Sequence, residues 1–111
     1  MPSEKNLQSL LLKLTDQGRL KRGKEIADKD LTLEKVSPEN IIARLGEYDI
    51  RLDLDKRVAT HNCSDWRRGM QTRRVCKHLV KLLFSIETKT AKKIVEDILE
   101  NMDLWAFQMT N

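Results

Sequence analysis

Every cysteine and histidine of this chain lies within one segment of eighteen residues, 61–78. The two cysteines and two histidines form two pairs, His-x-Cys at 61–63 and Cys-x-His at 76–78, on either side of a twelve-residue loop. Zinc prefers thiolate and imidazole ligands in a tetrahedron, and two such pairs supply a complete set. We therefore predict one structural zinc ion per chain, with the ligands His61, Cys63, Cys76 and His78.

Two other interpretations of these residues stay open at this point. Cys63 and Cys76 can be ordinary buried thiols, or a disulfide, with the histidines nearby by chance; a reducing compartment argues against the disulfide. The second alternative is a catalytic zinc. Such a site keeps one position for water, whereas four protein ligands leave none, and no glutamate lies in the segment to act as a general base.

Composition indicates a single globular domain. Hydrophobic residues make up 40% of the 111 positions and charged residues 34%, a balance typical of one small folded unit spanning residues 1–111. The apolar runs are too short to cross a bilayer, and the first residues, MPSEKN, lack the basic and apolar regions of a signal peptide. We therefore expect a cytoplasmic protein that has no contact with a membrane.

Hydrophobic spacing predicts an α+β fold, with flanking helices around a small antiparallel sheet. We predict a helical N-terminal part at about residues 1–28, the sheet and zinc finger at about 31–86, and a long amphipathic C-terminal helix at about 90–109. Alternating apolar residues within the middle part indicate about four strands, at 31–36, 41–45, 48–54 and 58–63.

A local excess of basic residues accompanies the predicted metal ligands. The segment 61–78 has a single acid, Asp65, against five bases, whereas acids and bases balance in the rest of the chain. Guanidinium groups bind phosphate oxygens in a bidentate manner, so we predict that DNA contacts Arg67, Arg68, Arg73, Arg74 and Lys77. The alternative is a basic loop that is only solvated. Trp66 either stacks on an unpaired base or, as we favour, belongs to the core.

The segment HNCSDWRRGMQTRRVCKHLVKLL resembles the SWIM zinc finger, whose pattern is Cys-x-Cys, a variable loop and Cys-x-His. His61 stands where that family has its first cysteine. The resemblance also includes the segments YDIRLDLDKRVATHNCSDW and LWAFQ, so that it covers about two thirds of the chain. Over this length the chain resembles small archaeal SWIM proteins and the SWIM subunit of Shu-type recombination complexes. The resemblance implies a zinc-binding accessory protein that pairs with a RecA-family paralogue and assists homologous recombination and DNA repair.

The C-terminal segment carries more apolar residues than one helical stripe can bury. In a helix, Leu104 and Phe107 lie off the stripe that contains Trp105. We therefore predict that Leu104 and Phe107 contact a partner, either a RecA-like subunit or a second copy of this chain.

Two functions from different classes follow from these observations. The first is a DNA-binding recombination accessory, and the alternative is a protein-interaction adaptor with no direct DNA contact. We expect no enzymatic activity, because no phosphate loop, paired carboxylates or nucleophile motif is present in the sequence.

Overall fold

The fold consists of a five-stranded sheet and of helices that share one hydrophobic core with it. The computed structural model describes the backbone of residues 2–110 and the side chains of residues 6–110. Within that range, the helices are α1 (Pro2–Leu11), α2 (Gln17–Glu25), α3 (Ser64–Gly69), α4 (Lys77–Ser85) and α5 (Thr88–Glu100). The strands are β1 (Leu31–Val36), β2 (Asn40–Leu45), β3 (Tyr48–Asp53), β4 (Val58–His61) and β5 (Ala106–Met109).

The sheet is mixed rather than purely antiparallel. Its strand order is β1-β2-β3-β4-β5, and the first four strands are antiparallel neighbours, as predicted. The fifth strand lies parallel to β4, with Val58 opposite Ala106 and His61 opposite Met109. The predicted α+β class is therefore confirmed, whereas the predicted sheet of four antiparallel strands is wrong.

The predicted C-terminal helix at 90–109 is also too long. The helix α5 ends at Glu100, where the side-chain amide of Asn101 binds the carbonyl and carboxylate oxygens of Asp97, and the backbone turns through residues 101–104. Beyond the turn, the buried residues Trp105 and Phe107 are two positions apart, which is the spacing of a strand. Over so short a stretch the same apolar residues also fit a helical period, and the pairing with β4 selects the strand over the helix.

The core lies between the sheet and the helices. Inward-facing strand residues such as Ile41, Ile50 and Ala59 are at most 1% exposed, and they meet buried helical residues such as Leu11 and Val95. The helix α1 packs against α5, and α2 packs against α4. No helix within residues 2–110 is both long enough and apolar enough to cross a membrane.

The contact between α2 and α4 is close because Gly23 has no side chain. A Cβ atom at Gly23 would lie 2.6 Å from the side chain of Val80 and 2.7 Å from the carbonyl oxygen of Lys77. Both distances are shorter than van der Waals contact, so only glycine fits at this crossing. The sequence indicated only that glycine weakens the helix.

Candidate metal centre

The four predicted donors converge on one point. One ligand atom from each of His61, Cys63, Cys76 and His78 lies within 4.8 Å of the other three, which is close enough to bind a single metal ion. His61 ends β4, Cys63 caps the N-terminus of α3, and Cys76 caps the N-terminus of α4, whose first turn contains His78. A metal ion at this point would join one strand to two helices.

His61 is oriented for metal binding by a backbone group of the neighbouring strand. Its ring is fully buried, and its Nδ1 atom lies 2.6 Å from the carbonyl oxygen of Asp49. A carbonyl only accepts hydrogen bonds, so Nδ1 carries the proton and Nε2 has its lone pair free. That Nε2 lies 3.1 Å from Nδ1 of His78, on the side of the cysteines. The arrangement is typical of a metal-binding histidine, whose second nitrogen is usually held by a carbonyl or carboxylate.

The two cysteines have different electrostatic environments. A hydrogen bond from Cys76, supported by His61 and His78, holds the pKa of Cys63 far below its usual range. Burial, and then the neighbouring Cys63 sulfur, raises the pKa of Cys76. A cation between the two sulfur atoms would favour the thiolate form of both. The backbone N–H of Trp66 also donates to Cys63 Sγ at 3.3 Å, which favours the thiolate.

Both cysteines are free thiols, in contrast to the disulfide that the sequence left as an alternative. Each cysteine is also the N-terminal cap of a helix, where the partial positive charge of the helix end favours an anion and so opposes the effect of burial on Cys76. Two sulfur atoms and two imidazole rings form a donor set that suits a borderline-soft cation.

Asp65 ties the metal-binding loop to α2. Its two carboxylate oxygens accept hydrogen bonds of 2.7 Å from Nε and Nη2 of Arg19, and one of them also accepts from Arg74 at 3.2 Å. The hydrogen bonds from Arg19 hold the pKa of Asp65 below its usual range. The carboxylate is therefore engaged between two helices rather than free to replace a metal ligand.

Trp66 is a core residue, as we favoured from the sequence. It is fully buried, its ring stacks on Phe107 with centroids 4.5 Å apart, and its Nε1–H donates to the carbonyl of Gln108 at 2.8 Å. The stacking alternative, in which Trp66 receives a nucleic-acid base, would require this side chain to leave the core.

The basic residues predicted to contact DNA divide into two groups. Arg67, Arg68 and Lys77 are exposed and make no ion pair among residues 6–110. Arg73 and Arg74 are half-buried and have internal partners. The guanidinium of Arg73 donates to backbone carbonyls, including that of Trp105 at 2.8 Å, and Arg74 pairs with Asp65.

Leu104 and Phe107, the two residues predicted as a partner surface, lie in different elements and differ in exposure. Leu104 is 59% exposed in the turn before β5. Phe107 is only 8% exposed, because it lies in β5 and stacks on Trp66 rather than continuing a helix. The prediction that Phe107 offers an exposed anchor is therefore wrong, whereas Leu104 is accessible as expected.

Sequence reasoning missed the contribution of α2 to this region. Arg22 lines a pocket together with Arg68 and Lys77, although it lies far from them in the sequence. Within residues 17–25, four bases accompany a single acid, Glu25, and this local excess was a usable indication. The indication is weakened because the flanking acids Asp16 and Asp28 reduce the excess over residues 16–28 to a single positive charge.

None of the protein-family models, curated proteins and solved structures compared with this chain matches it. The resemblance to the SWIM zinc finger therefore stays a prediction that rests on the residues of the segment 61–78 and its flanks.

Proposed function

We propose that the site holds one zinc ion in a structural role. In a tetrahedral site with ordinary zinc bond lengths, two imidazole nitrogens lie about 3.3 Å apart, and a sulfur and a nitrogen lie about 3.5 Å apart. The corresponding separations are 3.1 Å between His61 Nε2 and His78 Nδ1, and 3.9 Å between Cys76 Sγ and His78 Nδ1. Two thiolates and two neutral imidazoles also balance the charge of Zn²⁺.

The zinc ion would crosslink elements that the polypeptide joins only through loops. His61, Cys63 and Cys76 belong to three different elements, and all three side chains are at most 5% exposed. Four protein ligands leave no position for a substrate or an activated water, so the ion supplies stability and orientation rather than catalysis. Its main consequence is a fixed position for α3, which carries Arg67 and Arg68.

We infer that the function is DNA binding by a zinc-stabilised accessory protein. The observation that carries this proposal is the pair of exposed guanidinium groups of Arg67 and Arg68, which make no ion pair with the described residues and lie on a short helix that begins at a predicted metal ligand. The resemblance to SWIM proteins implies that this DNA binding assists homologous recombination and DNA repair. It also implies a RecA-family paralogue as the partner.

The proposal is tested by measuring DNA affinity at several salt concentrations. Each duplex phosphate neutralised contributes about 0.9 to the slope of log affinity against log salt. We expect the double variant Arg67→Ala, Arg68→Ala to lose up to about 2 from the slope of the wild type. The variant Lys35→Ala, Lys89→Ala is the matched control, because it removes two exposed and unpaired cations elsewhere. A wild-type protein that retains zinc and binds neither duplex nor single-stranded DNA would refute the proposal.

An adaptor that binds another protein is the second candidate. Exposed apolar side chains favour it: Leu33 and Val36 on the edge strand β1 are 41% and 51% exposed, and Leu104 is 59% exposed. Isolated apolar residues are common on protein surfaces, so these three carry less weight than the arginine pair. Partner binding that is unaffected by nuclease treatment and by the Arg67, Arg68 double variant would favour the adaptor.

A further inference from the structure

A pocket beside the metal centre combines cations from three helices. Arg22 of α2, Arg68 of α3 and Lys77 of α4 line a cavity of 210 Å³ whose wall also includes Cys63 and His78. All three cations are exposed, and none has a carboxylate within ion-pair distance among residues 6–110.

Among the described residues, the wall of this pocket contains one carboxylate, which does not neutralise these cations. It belongs to Asp65, whose two oxygens are both bound by Arg19, the fourth basic residue of the wall. Asp16, the N-cap residue of α2, pairs with Arg19 as well. The pocket therefore has an excess of positive charge that the described part of the chain leaves without compensation.

The position of Lys77 makes this excess unfavourable for the isolated protein. Lys77 is the first residue of α4, where the helix dipole favours a negative rather than a positive charge. Like charges that converge on one cavity also repel one another. A bound anion with several oxygen atoms would relieve both effects, since arginine and lysine together supply several charge-assisted donors to one phosphate group.

Contacts between the helices fix the backbone positions from which the three cations extend. Gly23 allows α2 to approach the carbonyl of Lys77, and this brings the neighbouring Arg22 to the start of α4. The bidentate pair of Arg19 with Asp65 joins α2 to α3, which carries Arg68. The pocket is thus built from residues whose relative positions are determined by packing rather than by a flexible loop.

We propose that this pocket binds a phosphate group of the DNA backbone, so that α2 forms part of the DNA-binding surface. The inference rests on the proposed function and extends it from the arginine pair of α3 to a site that includes Arg22. Two thiolates and two neutral imidazoles around a dication carry no net charge, so the metal centre in the wall does not repel the phosphate.

The test compares two triple variants of the zinc-loaded protein with the wild type. The pocket variant is Arg22→Gln, Arg68→Gln, Lys77→Gln, and the control is Arg51→Gln, Lys56→Gln, Lys89→Gln, which removes the same charge from exposed positions outside the pocket. We expect the pocket variant to bind DNA at least about tenfold more weakly at 0.1 M salt. We also expect its slope of log affinity against log salt to decrease by about one, which is the contribution of one phosphate contact. The control should change affinity by much less.

A second measurement separates failure of the pocket from failure of DNA binding. Pyrophosphate is added to each protein at matched ionic strength, and amide resonances are followed by NMR. We expect saturable shifts at Arg22 and Lys77 in the wild type and in the control, and none in the pocket variant. If the wild type binds DNA but the pocket variant binds it equally well, the pocket is refuted and DNA binding stands.

If the wild type binds no DNA but shows the pyrophosphate shifts, the pocket stands as a phosphate site and the proposed function fails. If neither ligand binds, both are refuted. The single variant Arg22→Gln repeats the comparison with Arg68 intact, because loss of Arg68 alone is expected to weaken DNA binding; Arg22 lies outside the zinc finger and makes no ion pair in the described chain, so this variant also serves if the triple variant does not fold.

Discussion

Replacing Gly23 by alanine tests whether the close crossing of α2 and α4 holds the basic pocket together. The added Cβ would lie 2.6 Å from two side-chain atoms of Val80 and 2.7 Å from the backbone carbonyl of Lys77. Because the carbonyl belongs to the backbone of α4, the clash is removed only if one of the two helices moves. Overpacking of this kind costs about 2–3 kcal/mol, and the better helix propensity of alanine returns about 1 kcal/mol. We expect a net loss of about 1–2 kcal/mol in the free energy of unfolding.

Gly18→Ala is the matched control on the same helix. Its Cβ would meet the guanidinium of Arg22 at 3.2 Å, and the end of that exposed side chain can move away. We expect Gly18→Ala to be neutral or to stabilise the protein by up to about 1 kcal/mol. Urea unfolding of the zinc-loaded proteins, followed by circular dichroism, measures both values. Pyrophosphate affinity should fall in Gly23→Ala, because its helix shift separates Arg22 from Lys77. Equal stabilisation by the two substitutions would refute the close-packing argument.

Three further predictions concern the metal ligands, the ion pair and the C-terminal surface. Cys76→Ser should lose zinc and most helical circular dichroism, because Cys76 is fully buried at the start of α4; a folded, zinc-loaded variant would contradict its role. Asp65→Asn should cost about 1–3 kcal/mol at pH 7. The pKa of Asp65 is lowered in the folded state, so this contribution is present above the unfolded pKa of about 4 and disappears as the pH falls through the folded value; a difference from the wild type that does not shrink as the pH is lowered below about 4 would contradict it. Phe107→Ser should cost about 3–5 kcal/mol, whereas Leu104→Ser should leave stability within about 0.5 kcal/mol and reduce capture of a protein partner; the reverse order of stabilities would contradict the strand assignment.

The metal ligands were predictable because their chemistry is local in the sequence. Four donors with suitable spacing lie in the segment 61–78, and the structure brings them together as the spacing required. The carbonyl of Asp49, which selects the tautomer of His61, was not predictable in the same way. It depends on the register of β3 with β4, and any residue can supply a backbone carbonyl.

The strand β5 was missed because parallel pairing is determined by distant residues. Val58 lies opposite Ala106, on the far side of three helices in the sequence. Over residues 105–109, helical and strand periods both fit the apolar positions, so the local pattern could not decide. The same limitation applies to Arg22, which reaches the metal-centre pocket only because Gly23 permits the crossing of α2 and α4.

The central claim is that one zinc ion is bound by His61, Cys63, Cys76 and His78, and X-ray absorption at the zinc edge tests it most directly. The sample is protein purified without chelators and with reduced thiols, in which we expect one zinc per chain. The spectrum should show two sulfur atoms at about 2.3 Å and two imidazole nitrogens at about 2.0–2.1 Å. Protein without zinc, or a first shell of oxygen and nitrogen without two sulfur atoms, would contradict the account.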